Sequence, residues 1–387
     1  MNKFIFNNPT KLIFGKGQLT ELKKEIPFYG KNVLLLYGGG SIKQNGLYSK
    51  IIALLKEINI NIVELGGVEP NPRLTTVNKG IELVRKHNID IILAVGGGSV
   101  IDCAKAIAAG SHYDGDVWDI VTKKVIPSKA IPIGTILTIA ATGSEMNGGA
   151  VITNWEAQDK RSFGSIYTYP KFSILDPEVT YSVPLNQTIY GIVDIMSHVF
   201  EQYFHNSENA NLQERFGESI LKTMIEVAPK LVNDLTNYEN RETMLLSGTL
   251  ALNGTLSMGV QSDWATHMIE HAVSAVYDIP HGGGLAILFP NWMEFVAKKR
   301  PERIIQLGEN VFELNFSNKT KNEMIEETIE AFRSFLKSIG APTKLSDYGI
   351  DHTQIDLMAK RAMVAPTIGN YVPLNQEDVK NILLASL

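Results

Sequence analysis

A single cysteine, Cys103, stands in a chain of 387 residues, so no intrachain disulfide can form and a reducing compartment fits. It lies in the mostly apolar stretch Val100–Ala109 and reads as a buried, inert thiol. No apolar run is long enough to span a bilayer; the longest candidate, Ala130–Ala141, is broken by Pro132, Gly134 and threonines. The first eight residues lack an apolar signal core, so no secretory leader is expected and the cytoplasm is the default location. Positive charge is not in excess. A net charge of −5 and a pI near 6.0 supply no basic face for nucleic acid. Repeats, low-complexity tracts and charge blocks are absent as well. What remains is the composition of a soluble globular enzyme, 44% hydrophobic and 20% charged. The length exceeds what one hydrophobic core usually holds, so two domains are expected.

The two halves differ in texture. Twenty of the 32 glycines precede residue 186, in turns between short β-branched runs. Strands are predicted at Asn32–Tyr37, Ile60–Leu65, Ile91–Val95, Ile131–Leu137 and Phe172–Leu175. Helical periods follow the early ones at Ile42–Leu55, Leu74–His87 and Val100–Ala109. This alternation predicts a Rossmann-like parallel sheet with helices on both faces and ligands at the carboxyl ends of its strands. After Pro184 amphipathic helical stretches dominate: Gln187–Phe204, Asn211–Val232, Arg241–Met258, Asp263–Val276, Leu285–Lys299, Lys321–Ile339, Thr353–Met363 and Gln376–Ala385. The predicted organisation is therefore an α/β domain over 1–185 and an all-α domain over 186–387.

Three loops look made for a dinucleotide. In Ile92–Asp102 a strand runs into Gly96-Gly97-Gly98-Ser99 and a helix follows at once. Glycines let backbone amides approach an anion, and the helix N-terminus adds partial positive charge. A second loop, Gly38-Gly39-Gly40-Ser41, follows the first core strand. NAD sites usually hold the adenosine ribose with an Asp or Glu, but none stands between Gly38 and Gly46. Ser41 and Lys43 suit a 2′-phosphate instead, so NADP(H) is the expected cofactor. The third loop, Thr138–Asn147, offers hydroxyls and an amide. Lys160 is the nearest downstream cation and can pair with a phosphate; an ordinary lysine would only sit in water.

The chemistry points to the second half. Asp194 and His198, four residues apart on one helical face, sit among Ile192, Val193, Ile195, Met196, Val199 and Phe200. They can simply bond each other, or they can hold a metal. Further on come Asp263-Trp-Ala-Thr-His267-Met-Ile-Glu-His271 and Ile279-Pro-His281-Gly-Gly-Gly284. Four of the chain's eight histidines fall among His198, His267, His271 and His281. One carboxylate and three imidazoles suit a divalent iron or zinc ion with a position open to a substrate oxygen. Of the one-turn pair His267 and His271, only one need be a ligand; the other can carry a proton. A metal lowers the pKa of an alcohol hydroxyl, after which hydride can pass to nicotinamide.

These residues resemble the iron-dependent (group III) alcohol dehydrogenase family, and the resemblance covers the whole chain. It is carried by Phe14-Gly15, Glu69-Pro-Asn-Pro72, Gly96–Ser99 with Asp102, Thr142-Gly-Ser-Glu145, and Leu175-Asp-Pro through Pro184 to Asp194 and Glu201. The histidine block ending at His281-Gly282 completes it. Tyr37–Lys43 and Asp263–His267 are most similar to the NADPH-dependent butanol dehydrogenase and aldehyde reductase branch. Ala140-Ala141 departs from an Ala-Gly pair that many members carry. The resemblance implies a dehydroquinate synthase-like two-domain fold with the active site in its cleft, and a homodimer. It implies metal ligands at Asp194, His198, His267 and His281, with His271 unligated near the substrate as the catalytic candidate. It also implies cofactor contacts from Gly38, Gly39, Gly40, Ser41, Asn71, Gly97, Gly98, Ser99, Thr138, Thr142, Asn147 and Lys160; Lys43 and Asp102 complete the expected set.

The expected activity is reversible hydride transfer between NADP(H) and a primary alcohol or aldehyde of butanol size. Three alternatives stand beside it. An NAD-dependent glycerol- or diol-type dehydrogenase differs in cofactor and substrate profile. A dehydroquinate synthase-type lyase needs a cationic cleft that residues 194–281 do not supply. A nucleotide sensor with a closed structural metal would not turn over an aldehyde.

Overall fold

A computed structural model describes all residues, 1–387. The chain divides into two compact units, one of Asn7–Val183 with Thr236–Thr249, the other of Met1–Phe6, Pro184–Leu235 and Leu250–Leu387.

The first unit is built on a six-stranded, all-parallel sheet. Its strands are β1 (Lys11–Phe14), β2 (Asn32–Tyr37), β3 (Asn61–Leu65), β4 (Ile91–Gly96), β5 (Ile133–Leu137) and β8 (Phe172–Leu175), in the order β1-β8-β5-β4-β2-β3. The central strands are buried on both faces, which is why they read as continuous apolar runs rather than alternating ones. Around the sheet lie α1 (Leu22–Glu25), α2 (Ser41–Gln44), α3 (Leu47–Glu57), α4 (Leu74–His87), α5 (Gly98–Gly110) and α6 (Val117–Val121). The chain leaves β2 for β3 on one side and returns to β4 on the other. The topological switch point therefore falls between β2 and β4, and a glycine loop follows each.

Some elements depart from expectation. The edge strand β1 and the antiparallel hairpin β6 (Gly149–Asn154) and β7 (Asp159–Gly164) were not predicted. Lys11–Phe14 is only four residues long, and Asp-Lys-Arg-Ser-Phe-Gly is too polar to read as a strand; pairing with β6 makes it one. The helix expected over Ile42–Leu55 is two, because Gly46 adopts φ +81° and restarts the chain.

The second unit is helical, as expected. It comprises α7 (Leu185–Tyr203), α8 (Asn211–Asn233), the end of α9 (Tyr238–Ala251), α10 (Ala265–Tyr277), α11 (His281–Ala297), α12 (Glu302–Asn310), α13 (Lys321–Ser338), α14 (Ile355–Ala362) and α15 (Gln376–Ala385). Its only β pairing is the isolated bridge Ile368–Leu374. The period expected to run from Arg241 to Met258 stops at Ala251, ahead of Gly254 at φ +94°, and α12 was not anticipated. Around α7 and α11 an aromatic core gathers Phe200, Phe204, Phe289, Trp292 and Phe332. No helix is long and apolar enough to cross a membrane.

Candidate metal and dinucleotide sites

In the helical unit, α7 carries Asp194 and His198 one turn apart, α10 carries His267 and His271, and His281 is the first residue of α11. The helices bring four donor atoms together. Asp194 Oδ1 lies 3.7 Å from His198 Nε2, 4.0 Å from His267 Nε2 and 3.7 Å from His281 Nε2. Ligand atoms of Asp194, His267 and His281 all fall within 4.8 Å of one another. Donors bound at ~2.1 Å to one tetrahedral ion stand ~3.4 Å apart, so Asp194, His267 and His281 fit a divalent cation, and His198, which approaches this group at Asp194, is the fourth candidate. The side chains of Asp194, His198 and His267 are 6% exposed or less, whereas that of His281 is 25% exposed, so the cluster opens on the His281 side. His271 stands there, its ring 5.5 Å from that of His281 and 6.3 Å from that of His267.

Two carboxylates back the imidazoles. Glu201, one turn beyond His198 and 1% exposed, meets His267 Nδ1 at 2.8 Å through Oε1. It also accepts the backbone N–H of His267 at 3.0 Å and of Trp264 at 2.5 Å. Trp264, left-handed at φ 68°, turns the chain into α10 so that both amides face this carboxylate. Glu270, fully buried, bonds His281 Nδ1 and takes the Ser274 hydroxyl. A carboxylate on Nδ1–H fixes the tautomer and leaves the Nε2 lone pair for the ion. Burial pushes Glu201 up to about 8, opposed by its two amide bonds, and pushes neighbouring Asp263 up to about 7.

Close helix packing sets His281. A Cβ on Gly282 would lie 2.2 Å from the Tyr190 carbonyl oxygen of α7, and one on Gly284 would lie 2.9 Å from Glu270 Cγ. The three glycines after His281 therefore let α11 press against α7 and α10.

In the α/β unit the loops after β2, β4 and β5 emerge from three neighbouring strands. A Cβ at Gly97 would strike Ile139 at 2.2 Å, and one at Gly98 would strike Thr142 at 2.4 Å. The loop after β5 thus packs onto the β4–α5 turn, tied by Thr138 N–H to the Gly96 carbonyl at 3.0 Å. Ser99 donates its hydroxyl to the Pro70 carbonyl, and Asn147 Nδ2 donates to the Gly143 carbonyl at 2.8 Å. Asp102 accepts from Ser144 Oγ at 2.6 Å and Val151 N–H at 2.8 Å. Lys160 is buried rather than solvated: it is 8% exposed and donates to Asn71 Oδ1 at 3.0 Å.

The loop after β2 is more open. Gly40 takes φ +106°, and a side chain on Gly39 would meet nothing within 4 Å. The Lys43 ammonium sits 4.9 and 4.8 Å from the ring centres of Tyr37 and Tyr48. Those tyrosines donate their hydroxyls to Glu64, near the end of β3. Glu64, Glu270, Lys105 and the packing role of Gly282 escaped the sequence reading. Glu201 carries its own sequence signal, since Asp194, His198 and Glu201 share an i, i+4, i+7 face of α7.

An α/β unit with glycine loops at its switch point, and a helical unit focusing one carboxylate and three imidazoles, define a class of metal- and dinucleotide-using oxidoreductases. Comparison with known proteins narrows this. The family model for iron-containing alcohol dehydrogenase matches residues 9–177, and that for the C-terminal part of the Fe-containing alcohol dehydrogenase family matches 188–387. The chain belongs to the iron-containing alcohol dehydrogenase family and catalyses alcohol–aldehyde oxidoreduction. It is 59% identical to the probable NADH-dependent butanol dehydrogenase 1 of Bacillus subtilis over the full length of both. It is 41% identical to the NADPH-dependent aldehyde reductase YqhD of Escherichia coli over 93% of each. The crystal structure of NADH-dependent butanol dehydrogenase A from Thermotoga maritima superposes with a TM-score of 0.95 at 42% identity, covering 100% of this chain and 99% of that one. These matches do not favour the glycerol-type or lyase alternatives.

Proposed function

We propose that the protein interconverts primary alcohols and aldehydes of about butanol size, using one divalent ion, Fe2+ in the first instance, and NADP(H). The observation that carries the reading is the convergence of Asp194 Oδ1 with three imidazole Nε2 atoms, two of them backed by buried carboxylates. Butanol dehydrogenase and aldehyde reductase relatives support the substrate class. A divalent ion held there would supply Lewis acidity to the oxygen of an alcohol or aldehyde, and a nicotinamide would supply or take the hydride. Asp194, His198, His267 and His281 would hold the ion, with Glu201 and Glu270 fixing two of the rings. His271, on the open side, carries the proton. His271→Ala is then expected to retain a full complement of metal and to lose turnover by about a hundredfold, the usual scale of a positioned acid–base group. Metal analysis beside steady-state rates checks this, and metal loss would make His271 a ligand instead.

Residues 1–185 serve the dinucleotide and 186–387 the metal. The β4–α5 turn at Gly97, Gly98 and Ser99 takes the diphosphate on backbone amides at the start of a 13-residue helix. The loop Thr138–Asn147, with Asn71 and Lys160, completes that cradle. At the adenosine end, the Gly38–Ser41 loop carries no carboxylate, and Lys43 is held nearby between two rings, which favours a 2′-phosphate. A second reading has its own support: Glu64 is the penultimate residue of β3, the strand beside β2, near where NAD sites place a ribose-binding acid, and several relatives bear NADH in their names. Gly39→Asp separates the two. The new carboxylate enters open space without repacking. With NADP(H) as cofactor, kcat/KM for NADPH is expected to fall at least tenfold relative to NADH, as for a like-charge pair worth ~1.4 kcal/mol. An unchanged ratio would favour the NADH reading.

A further inference from the structure

Helix α5 lies between the sheet, the β6–β7 hairpin and its helical neighbours, and it is almost wholly apolar. Halfway along it Lys105 is fully buried. Burying an ammonium carries a heavy desolvation cost unless every N–H finds an acceptor, and an apolar side chain of the same length would avoid that cost. All three N–H groups are matched: Ser144 Oγ at 2.7 Å, Asn147 Oδ1 at 3.1 Å and the Gly149 carbonyl at 2.7 Å. Ser144 donates its own hydroxyl hydrogen bond to Asp102 Oδ1 at 2.6 Å, and Asp102 Oδ2 accepts the Val151 N–H at 2.8 Å. One turn apart on α5, Lys105 and Asp102 thus grip the segment 144–151 at four points.

That segment continues the loop whose Thr142 and Ile139 fill the space over Gly98 and Gly97. We infer that Lys105 is a positioning residue for dinucleotide binding: by holding Ser144, Asn147 and Gly149 it sets the loop after β5 against the β4–α5 turn. The inference rests on the reading of that turn as the diphosphate cradle. Lys105 itself reaches no solvent and acts only through the loop.

Its charge matters. A neutral amine has two N–H groups and a lone pair, so one of the three acceptors loses its donor. Burial lowers the ammonium pKa to about 8, against the raising influence of Asp102 and Glu145, while Lys160 acts on Asp102. The loop therefore loosens, and dinucleotide affinity falls, as pH rises through about 8.

The test is the dissociation constant of NADPH, with NADH in parallel, from nucleotide fluorescence on the metal-loaded protein between pH 6.5 and 9.5. Wild type is expected to weaken several-fold between pH 7 and 9. Lys105→Met is expected to bind roughly tenfold more weakly at pH 7, the scale of one hydrogen bond to a charged group, with no step near pH 8 and unchanged metal content. Wild-type affinity and pH profile in Lys105→Met would overturn the inference. If that variant does not fold, Ser144→Ala and the wild-type profile decide, and a flat profile counts against it. Gly98→Ala, whose new methyl must displace Thr142, separates the two claims. Unchanged affinity there defeats the cradle reading and the inference with it; weakened affinity there, with Lys105→Met normal, defeats the inference alone.

Discussion

Replacing His267 with alanine is expected to leave a folded protein without bound metal and with turnover reduced about a thousandfold or more, since the ion is asked for several kcal/mol of charge stabilisation. The substitution removes a donor 4.0 Å from Asp194 Oδ1 and the ring that meets Glu201. Glu201 keeps the amides of Trp264 and residue 267, so α10 retains its start. Three donors remain, and the vacated side of the site admits water. Elemental analysis after purification without air, beside thermal melting, reads the outcome. Stoichiometric metal in this variant would refute the ligand assignment, whereas a failure to fold would appear in the melt.

Gly282→Ala should also cost metal, although residue 282 donates nothing to the ion. The added methyl would lie 2.2 Å from the Tyr190 carbonyl oxygen, 2.7 Å from its carbonyl carbon and 2.8 Å from its Cα. Those atoms are helix backbone and cannot swing aside. The start of α11 must retreat from α7, taking His281 Nε2 away from Asp194 Oδ1, now 3.7 Å distant. Coordination tolerates ~0.2 Å, and the overpacking itself costs about 1–3 kcal/mol. Metal affinity is expected to fall at least tenfold and the melting temperature to drop. Gly283 supplies the comparison: a Cβ there meets first the Tyr348 hydroxyl, the far end of a side chain that can rotate, so Gly283→Ala should do less. Equal metal affinity in Gly282→Ala and wild type would mean that His281 is placed by something other than this contact.

Much of the scaffold was legible because its forces are local. Strands β2, β4, β5 and β8 are buried on both faces and announce themselves as unbroken apolar runs. The hairpin partner Asp159–Gly164 has no such signature, since tertiary pairing makes it a strand. Asp194 with His198, and His267 with His271, stood out because one turn separates each pair. Which histidine of the second pair faces Asp194 depends on how α10 rolls against α7, and no spacing encodes that. The packing role of the glycines after His281 has no local signature either, because the atoms that exclude a Cβ there belong to Tyr190, Tyr348 and Glu270, far off in sequence. Lys160 and Asn71, 89 positions apart, meet only once β6 and β7 are in place.

The most direct test of the account is X-ray absorption at the metal edge on wild-type protein purified without air. One divalent ion per chain is expected, with a first shell of three imidazole nitrogens and carboxylate oxygen near 2.0–2.2 Å. A shell containing sulfur, or one with a single imidazole, would contradict it.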